Sequence, residues 1–412
     1  MSIWKTWGEL YNLLDTKEKV YLFGRSEDWT SKVIKKLPEK LKLKIVDNNK
    51  SYHQQKYNNI KIFSPKILNK KNFSNSYIII CAEPDSIVAE LKQGKFIEGR
   101  DFCCSPDLID WGYLQNLKKE SSKILVTSSD YFDLSRARGS KSGGGLFICD
   151  HKENSIEKKI DGQFRQIIEV QNYYYVVEYV EKKIYVIDKN FKILEKYDLD
   201  QTVKKKEKPN YCGLAYHPKK QLFFSANSAT DIISIYESKK FKKVDEIEFS
   251  NKSKIISDGQ SHINDLTIMD DFLLVSYFSF AGLWRKGIFD GGVALVELKN
   301  NNITELIKNL KQPHSPEIID GKICVLDSMN RNLLIGNNIK CSFSGFLRGL
   351  TYDGKHYYVG QSEDMYTSQN FGTNKLSTMC NAGIYKVDIE KNICRFINMY
   401  ENMNVHDLHV YY

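Results

Sequence analysis

The stretch from Gln312 to Ser328, QPHSPEIIDGKICVLDS, reads as two antiparallel strands. A polar, histidine-bearing lead-in precedes an apolar run, a tight Asp-Gly turn and a second apolar run ending at Asp327 and Ser328. The same lead-in pattern recurs along most of the chain. Aligned on the first apolar residue of each inner strand, six segments share one frame: FRQIIEV at Ile167, YCGLAYH at Leu214, HINDLTI at Leu266, HSPEIID at Ile318, LRGLTYD at Leu350 and VHDLHVY at Leu408. A four-stranded propeller blade takes ~40 to 50 residues, so these starts predict a six-bladed, all-β propeller. The last start lies at the C-terminus with nothing left to supply its other strands, whereas Lys123 to Ile160 holds strand-like runs with no inner strand before them. The C-terminal strand is therefore expected to complete that blade, closing the ring and removing its free edges.

Ahead of the ring the pattern changes. Residues 1–115 read as a small α/β domain and residues 116–412 as the propeller. Trp4, Trp7, Tyr11 and Leu14 fall on one face of a helix from Ile3 to Leu14. From Lys19, the apolar strands KVYLFG, LKIVDN, KIFSP and YIIICAE alternate with helices, one stopped near Pro38 and one running from Pro84 to Gly94. That alternation predicts a small parallel sheet. Trp111 to Ser122 reads as a connecting helix.

Through the strand into Gly24, the IVDNN run from Ile45 to Asn49, KIFSP and IIIC, this unit resembles the small Rossmann-like domains attached to sugar-modifying methyltransferases and acetyltransferases of bacterial surface-glycan pathways. Asp47 ends the second strand, about where a dinucleotide fold keeps its ribose-binding acid. FGRSEDW stands in place of the glycine fingerprint, however, and Glu27 beside a pyrophosphate is electrostatically unfavourable. No tight nucleotide is expected; Asp47 is the residue that would hold one. Docking to a protein partner, or self-association, is the expected role of residues 1–115.

The net charge of +9 is mostly lysine spread along the chain, and basic clusters interleaved with stacking aromatics are not evident, which argues against a nucleic-acid partner. No run of about 18 apolar residues occurs, and charges stand where a signal peptide needs an apolar core. A cytoplasmic protein with no membrane span is the expectation. Nine cysteines without a CxxC pair read as reduced, mostly buried thiols.

Three turns between second and third strands are long, at residues 129–145, 279–292 and 362–383. Such turns return to the face on which the inner strands start, so they predict a lidded pocket there. In the shared frame, the residue before the aligned apolar position is Gln166, Gly213, Asp265, Glu317, Gly349 or Asp407, and the one before that is Arg165, Cys212, Asn264, Pro316, Arg348 or His406. Carboxylates gathered at one channel mouth repel unless something neutralises them. Asp265, Glu317 and Asp407, with Asn264, offer oxygen ligands suited to Ca2+ or Mg2+. Arg165 and Arg348 are alternative neutralisers, and capping of backbone N–H groups on neighbouring blades is a third role. His262, His314 and His406 stand at blade starts as candidates for acid–base or ligand work. Arg136 and Arg138, near the glycines from Gly143 to Gly145, form a candidate clamp for phosphate or carboxylate.

The ring resembles an uncharacterised family of bacterial propeller domains marked by GGGL (Gly143 to Leu146), HSP (His314 to Pro316), LDS (Leu326 to Ser328) and RGL (Arg348 to Leu350). Glu317 departs from that pattern, since a basic residue is expected after Ser-Pro. More distantly, the placement of Asp265, Asn264, Glu317 and Asp407 is similar to that of the ligands in gluconolactonase and regucalcin propellers. That likeness implies a divalent ion polarising a sugar carbonyl. Together the resemblances imply a sugar- or glycan-directed protein of bacterial surface-polysaccharide biosynthesis. As a metal-assisted hydrolase, lyase or epimerase, it would move a proton through His262, His314 or His406 and hold an acidic or phosphorylated sugar with Arg165, Arg348, Arg136 and Arg138. As a non-catalytic module, it would bind a glycan or a protein partner. No GxSxG nucleophile motif is present.

Overall fold

A computed structural model describes residues 2–129, 144–199, 210–257, 259–363, 381–399 and 404–412. The chain divides into two compact units, Met1–Asn116 and Leu117–Tyr412.

The first unit is an α/β sheet with strands in the order Lys56–Tyr57, Ile60–Phe63, Lys42–Val46, Lys19–Phe23, Ser76–Ile80 and Phe102–Cys104. All neighbours are parallel except the first pair, a hairpin at the edge. Apolar runs such as SYIII, buried along its whole length, explain the helical cover that a parallel sheet needs. This topology is consistent with a Rossmann-like domain. The first helix is shorter than the aromatic spacing suggests. Thr6 caps it in a box with Glu9, so it spans Trp7–Leu14, Trp4 lies outside it, and Leu10 and Leu14 form its buried face. Tyr11 is 40% exposed. The edge strand Phe102–Cys104 was not among the expected strands, because FCC is too short to show a period.

The second unit is a propeller of six four-stranded sheets among the described residues. The inner strands Phe164–Val170, Tyr211–His217, Ile263–Met269, His314–Ile319, Phe346–Tyr352 and Asp407–Tyr411 follow one another around the ring, and the last returns to the first. Asp407–Tyr411 pairs antiparallel with Lys123–Ser128, and Gly145–Asp150 and Ser155–Asp161 complete that blade. The first and last strands of the ring thus share one blade, as the six-start frame predicts. Aliphatic and aromatic side chains pack between adjacent blades: Leu214 with Val177, Ile184 and Phe223, Leu266 with Phe224 and Ile233.

Five inner strands carry a bulge at the same place, just before the residue on which the frame was aligned in four of them. Pairing resumes at Ile167, Leu214, Leu266 and Leu350, but in the fifth strand it resumes at Glu317, not Ile318. In that blade the sequence frame is one residue out. The reason is chemical: a frame built on the first apolar residue skips a glutamate at a position the other blades fill with Ile or Leu. The corrected row before the aligned position is Gln166, Gly213, Asp265, Pro316, Gly349 and Asp407, and the row before that is Arg165, Cys212, Asn264, Ser315, Arg348 and His406.

Candidate binding site at the start of the channel

The corrected rows tie each blade to the next. Asp407 Oδ2 accepts the Ile167 N–H at 3.0 Å, and Gln166 Oε1 accepts both Leu214 N–H at 2.8 Å and Leu266 N–H at 3.1 Å. Asp265 Oδ2 accepts the Ser315 N–H at 2.8 Å, and Ser315 Oγ accepts the Gly349 N–H at 3.0 Å. Gly349, at φ 76°, completes the circuit by close approach, since a Cβ there would lie 2.9 Å from the backbone of Asp407. Two of the three expected carboxylates therefore cap backbone N–H groups of neighbouring blades. Glu317 borders the channel instead.

Arg165 and Arg348 stand at equivalent positions of blades that flank the closing blade, whose own residue is His406. The Arg348 guanidinium reaches both ring nitrogens of His406 at 3.4 Å and lies 5.2 Å from the Phe346 ring centre. Arg165 lies 3.9 Å over the Tyr179 ring and touches the Cys212 sulfur. Burial, with the charge of Arg165 next, lowers the pKa of Arg348 to about 10. Among the described residues neither guanidinium has an ion pair, and the Nε of each is buried without a hydrogen-bond partner.

All three expected histidines join this cluster. Burial first, and then the two guanidiniums, hold His262 near 3 and His314 and His406 well below the ordinary imidazole range. They are neutral at physiological pH. His314 Nδ1 lies 2.9 Å from the Gln312 carbonyl, which can only accept, so Nδ1 carries the proton and Nε2 keeps its lone pair. His262, at φ 58°, is held by its backbone: Asp231, in the tight turn of the preceding blade, accepts the N–H groups of Ser261, His262 and Ile263 at 2.6, 2.8 and 3.4 Å. Its ring stacks on Phe278 at 4.4 Å and meets Trp284 at 4.6 Å.

Trp284 comes from the long turn at residues 279–292. Asp290 accepts hydrogen bonds from Ser279 Oγ and the Ala281 N–H, and the Trp284 indole donates to Gln260 Oε1 at 3.1 Å. Sequence reasoning named that turn but missed Trp284, Phe278 and Tyr179 as aromatic walls. Aromatic residues in a protein that is 12% aromatic carry no signal until their neighbours are known.

The other expected residues lie elsewhere. Asn264 donates from Nδ2 to the His262 carbonyl at 3.3 Å. Arg136, Arg138 and most of the turns at residues 129–145 and 362–383 lie outside the described residues. Asp47 belongs to the first unit, where its two oxygens accept the Arg25 N–H at 2.6 Å and the Asn49 N–H at 2.7 Å. The Arg25 guanidinium lies between the Tyr52 and Tyr57 rings, at 4.9 and 4.8 Å, and pairs with Glu27.

A cavity of about 720 Å3 occupies the middle and far end of the channel, with Gln166, Glu317 and Asp407 among its lining residues. Burial and the charge of Asp265 push Glu317 up to about 8. Asp407 is raised well above the carboxylate range by burial and by Asp265. The donor set does not fit a divalent ion. Two of its carboxylates are committed to backbone N–H groups, and no three His, Cys, Asp or Glu side chains among the described residues are grouped to hold a metal.

Residues 211–410 match a family model described as a domain of unknown function (DUF4915). No curated protein matches the chain. Among solved structures, the chain is similar to a protein of unknown function from Bacteroides caccae, at 11% identity and TM-score 0.47, over 70% of this chain and 98% of that one. It is also similar to a calcium-binding protein, regucalcin, from Agrobacterium tumefaciens, at 11% identity and TM-score 0.40, over 57% and 73% of the two chains. A luciferin-regenerating enzyme aligns at 14% identity and TM-score 0.41, over 57% and 76%. None of these likenesses bears on the chemistry of the site.

Proposed function

We propose that the propeller binds a small acidic sugar, one bearing a carboxylate or phosphate, at the end of the channel where the inner strands start. The observation that supports this most directly is the pair of guanidiniums, close enough to depress Arg348 and without a carboxylate partner among the described residues. Two cations placed this way repel each other, and burial raises the cost. An anion between them reverses the sign of that term and supplies acceptors for their free N–H groups. The partly exposed indole of Trp284 suits the apolar face of a sugar ring. The lone pair of His314 Nε2 can accept from a hydroxyl. Binding is the core of the reading; a proton transfer through one of the neutral histidines would be an addition to it.

Calorimetry with glucuronate, glucose 6-phosphate and glucose tests it. The two acidic sugars should bind and glucose should not, and Arg348→Gln should weaken the acidic sugars by about tenfold or more, the loss of a charge-assisted contact. Equal affinity for glucose and glucuronate, or an unchanged affinity in Arg348→Gln and Arg165→Gln alike, would overturn it.

A further inference from the structure

The channel has a second mouth, and its chemistry is opposite in sign. The cavity there is bordered by Ile167, Leu214, Leu266, Leu350 and Leu408, which occupy one position in five blades, and by Glu317, which occupies it in the sixth. A glutamate adds nothing to the packing those five residues provide. Nor does it serve as a latch: among the described residues it makes no hydrogen bond and no ion pair, whereas Asp407 and Asp265 each accept backbone N–H groups. Carboxylates of Asp265 and Asp407 lie within electrostatic reach of it. Burial, and the negative local field these carboxyls make as they ionise, are why Glu317 holds its proton up to about pH 8, and the group that would satisfy the ionised form is a cationic donor.

We propose that this mouth binds a small organic amine, with the ammonium on Glu317 and the body lying in the channel between the inner strands. A cavity of about 720 Å3 holds such a molecule with room to spare. Tyr216 and Tyr352 are also among its lining residues. An alcohol could fill the same volume without meeting the carboxylate's need, and a carboxylic acid would add a further negative charge. The site is separate from the arginine cluster and stands or falls independently of it.

Calorimetry on the full chain with hexylammonium, 1-hexanol and hexanoate as probes decides the matter. Hexylammonium should bind, and the two other probes should bind at least about tenfold more weakly, the difference a charge-assisted contact makes. Glu317→Gln should erase that preference while Arg348→Gln preserves it, each variant being first shown by circular dichroism and melting to be folded. Should Glu317→Gln fail to fold, Glu317→Asp, which keeps the charge but draws it back from the cavity, should weaken hexylammonium more than hexanol. Equal binding of hexanol and hexylammonium, a preference unchanged by the Glu317 variants, or no binding at millimolar hexylammonium would each overturn the proposal.

Discussion

Asp407 shows how much a single side chain does at the seam of the ring. Its Oδ2 accepts the N–H of Ile167 on the next blade and its Oδ1 accepts that of Leu408, all of it buried. Asp407→Ala leaves the buried Ile167 N–H without its partner, so denaturant melts should show a loss of about 1–3 kcal/mol. Asp407→Asn keeps one acceptor oxygen and removes the repulsion from Asp265 and Glu317, so its loss should be smaller. A larger loss for Asn than for Ala would mean that the negative charge itself is needed. The residue rows around Asp407 were readable because the bulge places the same register position in five of the six blades and Asp407 falls in line with it. Glu317 was misplaced by one residue because charge at a packing position cannot be distinguished from charge at a lead-in position without the pairing.

At the scale of elements, the closing strand Asp407–Tyr411 supplies Leu408 and Val410 to the core shared with Ile124, Val126 and Tyr358. Removing residues 404–412 exposes that core and leaves Lys123–Ser128 as a free edge. The truncated protein should be insoluble or melt far lower than the intact chain, and unchanged melting would show that the ring does not depend on its last strand. This blade was legible in the sequence because inner strands are apolar runs behind a polar lead-in, so a sixth start without successors had to pair with successors lacking a start. The two shortest strands of the first unit, Lys56–Tyr57 and Phe102–Cys104, left no such trace. The cluster was half visible: Arg165 and Arg348 share a register row, but Tyr179 under Arg165, and Phe278 and Trp284 against His262, lie in turns that no periodicity marks.

Across the whole molecule, the buried channel makes stability depend on pH from both sides. His262, His314 and His406 are depressed in the fold, so their contribution is present above about 6.5 and is lost as the pH falls below it, toward about 3 for His262. Glu317 is raised from about 4.5 to about 8, so the folded state keeps a proton that the unfolded chain has already released between those values. The stability tied to that proton is complete below about pH 4.5 and is lost as the pH rises through 8. Each limb can be as steep as about 1.4 kcal/mol per pH unit while one group dominates. Urea melts of the wild-type chain should therefore show a maximum in mildly acidic solution. Glu317→Gln cannot ionise, so it should flatten the limb between pH 5 and 8, to the extent that Asp407 and Asp265 do not sustain it, and leave the acid limb in place. Its advantage over wild type should grow steadily toward pH 8. If the variant and the wild type instead lose stability in parallel over that range, Glu317 is ionised without cost in the fold, and the negative field at the far mouth of the channel is already neutralised by the protein itself.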